Sequence, residues 1–404
     1  MAAKQRALII GGSMSGLLAG LLLRRAGWDV DVFERVDSEL SGRGAGIVAQ
    51  PELIARLQGL GLATHELGVQ AHTRKILNSQ GQVTEQIECP QTFTAWERVY
   101  RLLRDAFPPD SYHRGRGLDR FEQDASRVVA HFSDGETIEA DVLVGADGLR
   151  STVRRQLLPE AEPRYAGYSG WRALLAEADI PVELRTELFA GMCFALPPGE
   201  QFLGYPVAGA DNDLRPGRRR YNVMWYRPAD EQTKLRWLLT DRYGTVHSIS
   251  ISPPLIRREA IAEMRADAER LLAPQLRQVV RLIEEPILQP IYDLETPRMA
   301  VGRVALVGDA AFVARPHVGA GVSKAADDAA ALTEALAKES DVSAALAHFE
   351  AARLPDNRRI VQRARQLGAY LQATRTEDEQ ARAGHYSTGR AVIEQTALID
   401  FLKA

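Results

Sequence analysis

Cysteine is almost missing: the 404 residues hold two, Cys89 and Cys193, far apart in the chain. A disulfide framework or a thiolate zinc site needs more, at ligand spacing, so both are excluded, and a reducing, cytoplasmic setting is expected. Charge of one sign is missing as well, with 50 Lys and Arg against 53 Asp and Glu and a net charge of −3. No field then favours nucleic acid or an anionic membrane surface, and the expected partner is a small molecule. The most apolar stretch, residues 7–23, is divided by Gly11-Gly12-Ser13 and followed by Arg24-Arg25. It is expected to be a strand, a turn and a helix rather than a signal peptide or a membrane span. Internal repeats and low-complexity tracts are absent, and no serine–histidine–acid arrangement or metal-ligand cluster can be assigned. Side chains alone cannot carry electron pairs, so demanding chemistry requires a bound cofactor.

What the chain does have is glycine at the ends of short apolar runs. Residues 302–321, GRVALVGDAAFVARPHVGAG, read as a turn, a buried strand (304–307), and Gly308-Asp309 at its carboxyl end, where open α/β sheets bind ligands. After Pro316, Gly319, Ala320, Gly321 and Val322 lead into an alanine-rich helical run to 336. Such a helix start presents unpaired N–H groups and the positive end of a dipole to an anion. At the other end of the chain, RALII (6–10) reads as a strand, Gly11–Gly16 (GGSMSG) as a tight turn, 17–26 as a helix, and 28–33 as a second strand closed by Glu34. This βαβ unit resembles the dinucleotide fingerprint G-x-G-x-x-G, with Ser13 in place of its second glycine and an acid at the ribose-binding spacing. Gly11, Ser13, Met14, Ser15, Gly16, Glu34 and Arg35 are its candidate cofactor contacts. A third segment, DVLVGADGLRSTVR (141–154), places Asp147 and Gly148 at another strand end.

Together these stretches resemble the class A FAD-dependent aromatic hydroxylases, the single-component flavoprotein monooxygenases of the para-hydroxybenzoate hydroxylase type. Gly308-Asp309-Ala310-Ala311, Pro316, Gly319, Gly321 and Asp328-Ala329 fill the family's late motif, although Phe312 stands where many members have histidine. The resemblance implies an α/β fold: a Rossmann-like FAD-binding domain interleaved with a smaller mixed-sheet substrate domain, and a C-terminal helical segment. Its expected bounds are 1–70, 98–165 and 286–340 for the first, 71–97 and 166–285 for the second, and 341–404 for the helices. It implies that Asp309 holds the ribityl chain of FAD, that NADH or NADPH is the electron donor, and that O2 adds at flavin C4a before hydroxyl transfer. The substrate would be a small electron-rich aromatic or N-heteroaromatic ring, hydroxypyridine-like, and the enzyme a homodimer. A flavin reductase or dehydrogenase without oxygen insertion, and a non-enzymatic flavin binder, are the competing readings.

The remaining candidates lie between these motifs. The glycine-rich loop 41–51 offers Arg43, Val48 and Gln50 to the flavin, since clustered glycines allow close backbone approach. Hairpins are expected at 72–87 and around Asp134-Gly135, and a helix at 94–107 with Trp96 where relatives carry an arginine that meets the FAD phosphate. Strands at 169–175, 202–207 and 221–226 should enclose substrate, with Tyr205, Tyr221, Trp225, Tyr226 and His247 as candidate contacts, of which strand alternation sends about half to the other face. Arg172 matches a Trp-Arg pair that in relatives helps the nicotinamide donor approach. His317, beside Pro316, is the candidate proton acceptor or relay, set against the ordinary expectation of an exposed loop histidine. Residues 375–383 are so highly charged that a solvated turn is expected there.

Overall fold

The first strand, Arg6–Ile10, is apolar from Ala7 onward and pairs in parallel with Asp29–Glu34 on one side and Val142–Gly145 on the other. Burial on both faces, from residues at the core of a parallel sheet, explains runs such as ALII and VLVG that do not alternate. The structure is a computed structural model that describes residues 4–40 and 46–402; Arg43 lies outside them. The sheet has six strands in the order Ala300–Val301, Val304–Leu306, Val142–Gly145, Arg6–Ile10, Asp29–Glu34, Tyr112–Arg114. All pairings are parallel except the first, so Gly11, Glu34, Ala146 and Val307 end up along one carboxyl edge. The helix after the first strand spans Met14–Arg25 and begins inside the glycine turn, three residues before the expected start.

The second sheet has nine strands: Phe312–Val313, Ile287–Glu295, Arg164–Ala176, Arg220–Pro228, Gln201–Val207, Gly191–Ala195, Val69–Leu77, Val83–Ala95 and Gly46–Val48. Its two edges are drawn from the glycine-rich loop and from the late motif. This sheet is thereby hydrogen-bonded to segments that also border the parallel sheet. Strand alternation divides its faces. Tyr221, Val223 and Trp225 pack with the helices Arg258–Leu271 and Pro274–Arg281, whereas Asn222, Met224 and Tyr226 face the space between the sheets.

The long helix Val342–Gly368 packs on Gly321–Lys338, and its stripe Ile360, Val361, Ala364 and Leu367 is buried. The charged stretch after it is not a solvated turn. Glu377–Tyr386 is a helix, started by a capping box in which Thr376 and Glu379 satisfy each other's backbone N–H groups. Its three acidic residues lie in the first turn, where the helix dipole favours negative charge, so the composition that suggested a turn is a helix-start signal.

Candidate active site

Two helices aim uncapped amino ends at one cavity. Ser13 precedes Met14–Arg25 but its hydroxyl makes no capping bond, and Ala320 precedes Gly321–Lys338 with no capping side chain; neither helix has an acid in its first turn. A serine or aspartate cap is worth about 1 kcal/mol to a helix. Leaving both ends without one keeps positive dipole ends available to an anion. The cavity, of about 460 Å³, is lined by Ser13, Met14 and Ser15 from the first helix start and by Gly319, Ala320, Gly321 and Val322 from the second. Val48, Gly148, Asp309, Pro316 and His317 complete that wall.

A narrower cleft continues along the carboxyl edge of the parallel sheet. Gly11, Glu34, Arg35, Asp147 and Gly148 line it, and it shares Ser13, Trp96 and Ala146 with the cavity. Gly11 has φ +111° and a side chain there would come within 2.3 Å of the Ala146 carbonyl oxygen, so only glycine fits. Gly16 lines neither space. A Cβ there would stand 1.9 Å from the Gly11 carbonyl oxygen, so its role is close helix–strand packing rather than ligand contact. Glu34 accepts the Gly12 and Val36 N–H groups, each at 2.9 Å, which fixes its carboxylate at the cleft. Asp147 turns inward: it accepts the Ser151 hydroxyl and the Thr152 N–H (2.7 Å), capping the helix Thr152–Leu157.

Asp309 behaves differently from Asp147. Its side chain is exposed to the cavity and accepts no hydrogen bond from any described residue; the surrounding walls raise its pKa, an effect opposed by the charge of Lys324. Arg154, buried, joins the two motifs by donating to the carbonyls of Leu149 (2.7 Å) and Ala310 (3.1 Å). The sequence reading quoted Arg154 without a role. Its place in a Ser-x-x-Arg run after a strand end was the available signal. Gln50, offered as a flavin contact, is a strut instead: its amide donates to the carbonyls of Gly319 (3.3 Å) and Ala397 (3.1 Å) and does not line the cavity.

Facing the Asp309 wall is the nine-stranded sheet. Tyr205 lines the cavity and donates to the Gly46 carbonyl at 2.8 Å, while Asn222 accepts the Gly46 N–H at 2.9 Å. Burial pushes the Tyr205 phenol up to about 12, so it remains a neutral donor. Trp225 does not reach the cavity; one step along the strand, it is buried on the opposite face. His247 does not either, lying in a half-buried loop with its ring on Asp241 at 2.9 Å. Asn222, Met224 and Tyr226 are the neighbours that strand alternation puts in their place. Arg172 lines the cavity and bonds Gln289 at 2.8 Å.

His317 is buried, not exposed. Its Nε2 lies 2.8 Å from the Tyr168 hydroxyl, and its ring sits 4.4 Å from that of Tyr226. Burial, helped by the charge of Arg315, pushes its pKa down to about 3, so the imidazole is neutral at ordinary pH. The Ala397 N–H donates to the His317 carbonyl at 2.7 Å, and Thr396 and Ala397 form part of the cavity wall. Nothing in the sequence pattern marked that contribution from beyond the last long helix.

The groove suits a ligand with an anionic middle and a flat end. The open positions beside Gly148 and Gly321, where a side chain would meet nothing within 4 Å, leave room for it against backbone. Residues 4–364 match the FAD-binding-domain family. The chain is 34% identical to 2,6-dihydroxypyridine 3-monooxygenase of Paenarthrobacter nicotinovorans, covering 91% of each. It is 30% identical to 3-amino-4-hydroxybenzoate 2-monooxygenase of Streptomyces cremeus, covering 90% of this chain and 86% of the relative. Among solved structures it is similar to 2,6-dihydroxypyridine-3-hydroxylase from Arthrobacter nicotinovorans, with TM-score 0.86 and 33% identity over 92% of this chain and 93% of that one. A Klebsiella pneumoniae protein, HpxO, complexed with FAD and uric acid shares the fold at TM-score 0.76 and 23% identity, over 96% and 95%.

Proposed function

This chain belongs to the FAD-dependent aromatic hydroxylase family, and from that membership we propose that it hydroxylates a small, electron-rich, hydroxypyridine-like ring with NAD(P)H and O2. The observation that carries the reading is the pairing of two uncapped helix starts with the unpartnered Asp309 carboxylate around one cavity. Ser13, Met14 and the first helix start would hold the pyrophosphate of FAD, and Glu34 the adenosine ribose, at the narrower cleft. Asp309 would accept hydroxyl hydrogens of the ribityl chain, with Gly319–Val322 against the flavin ring. When bound, FAD supplies the electron transfer and oxygen activation that no side chain here can provide.

The protein's own part lies in placement and proton control. Tyr205, Met224 and Tyr226 form a largely apolar wall that excludes water from a flat ring. A ring hydroxyl must lose its proton to activate the ring, and neutral His317, linked to Tyr168, would pass it on rather than hold it, since a pKa pushed down to about 3 makes it a weak base. Pro316, its neighbour in the cavity wall, would hold His317 there. The hydroxypyridine preference follows the 2,6-dihydroxypyridine relatives in both comparisons. Homodimer formation and a cytoplasmic location belong to the same reading, the second supported by two free cysteines. Among the described residues no helix is long and apolar enough to cross a membrane.

The test is a screen of hydroxypyridines and phenols for stimulated NAD(P)H oxidation under labelled oxygen. One labelled oxygen atom in the product, with little hydrogen peroxide, is expected. Stimulated oxidation with peroxide alone would favour the reductase reading. Sedimentation reads the oligomeric state.

A further inference from the structure

Lys324 has no part in the reading above, and its surroundings need explaining. It lies in the first turn of Gly321–Lys338 with its side chain wholly enclosed, and its ammonium makes no hydrogen bond among the described residues. The nearest carboxylate oxygen, Asp328 Oδ2, is 3.8 Å away and already accepts the Gly308 N–H at 3.0 Å. The other oxygen, Asp328 Oδ1, is taken by Arg353 and by Asn357, both at 2.9 Å. One buried carboxylate therefore serves two buried cations. Arg353 has a second acid, Asp356 at 3.0 Å, at the surface; among the described residues Lys324 has no second ion pair within 4 Å. An enclosed ammonium that makes no hydrogen bond and shares its one acid is costly.

The residue after Gly308 is Asp309, whose carboxylate faces the cavity with no donor of its own. We infer that Lys324 is the buried counter-charge of Asp309, a positioning residue that keeps that carboxylate ready for the flavin's hydroxyl chain and adds fixed positive charge behind the late helix start. This rests on the proposed role of Asp309 in holding FAD. Asp328 is held by three other donors, Gly308, Arg353 and Asn357, and the charge of Lys324 also favours the ionised form of Asp309. Negative charge gained by the bound ring on reduction is stabilised by such a charge in a poorly solvated site.

Two readouts test it, neither of them turnover. Lys324→Met, of similar length and without charge, is expected to weaken FAD retention by about tenfold and to shift the reduction potential of the bound flavin downward. Lys324→Gln, which keeps a polar end and guards against a misfolded first variant, is expected to shift both in the same direction. Folding is checked by circular dichroism. A folded variant with unchanged retention and potential overturns the inference. Asp309→Asn separates the two readings: if it leaves FAD retention intact, the role of Asp309 fails. If Asp309→Asn weakens retention and Lys324→Met still costs as much in that background, Lys324 does not act through Asp309 and the inference fails alone.

Discussion

The two ends of the groove are built by different means. The narrow cleft is lined by turns: Gly11, Ser13 and Gly148 present backbone to it, and the acids Glu34 and Asp147 are fixed by backbone N–H groups. At the wide cavity the two helix starts share the wall with side chains: Tyr205, Asn222 and Tyr226 from one sheet face, His317 from the turn before the late helix, and Thr396 from the C-terminal segment. Backbone geometry tolerates little change at the first, whereas the second can alter its contents while the fold stands. A cofactor common to a family belongs at the first kind of site, and a substrate that differs among relatives at the second.

Substitutions can break that contrast. Gly11→Val carries the largest expected effect, because a side chain would meet the Ala146 carbonyl and force φ +111° on a β-branched residue. Colourless protein is expected, with a loss on the order of 3 kcal/mol or more, read by absorbance at the flavin band and by thermal melting. Yellow protein of normal stability would show that the cleft is as forgiving as the cavity.

His317→Asn comes next. The folded protein holds His317 neutral down to about pH 3, while the unfolded chain takes up its proton below about 6.5. The unfolded state then binds more protons across that window, so this contribution is complete above it and is lost as pH falls. The slope is about 1.4 kcal/mol per pH unit for one proton. Denaturant titrations between those limits should show a shallower acid loss in the variant. Asn222→Ala should act at the ring end only, removing the acceptor for the Gly46 N–H. It is expected to cost about 1–2 kcal/mol and to raise substrate KM while flavin content stays unchanged. Ala397→Gly carries the smallest effect: Ala397 has φ +55°, and relief of that conformation is worth up to about 1 kcal/mol, seen as an unchanged or slightly raised Tm.

The same contrast explains what could be read from the chain before its structure. Strand–glycine–helix runs such as 6–16 and 304–322 state their geometry locally, because a helix start and the strand before it are neighbours in sequence. The α/β fold, the FAD-binding family and the three segments that meet along the groove were therefore legible. Which aromatics face the ring was not. Trp225 and Tyr226 differ by one residue, and only the pairing of Arg220–Pro228 with its neighbours decides their faces. The burial of His317 was hidden for a related reason, since Tyr168 and Ala397 reach it from 149 and about 80 residues away. Glu377–Tyr386 was misread because its charge density outweighed the Thr376–Glu379 signal.

The wall that Thr396 and Ala397 add has a bearing on the protein's birth. A nascent chain that has emerged from the ribosome as far as the late helix already carries every glycine turn, yet the compartment beside His317 still lacks one side. That side is complete only once residue 397 has folded back against His317, later in synthesis than the glycine turns along the groove.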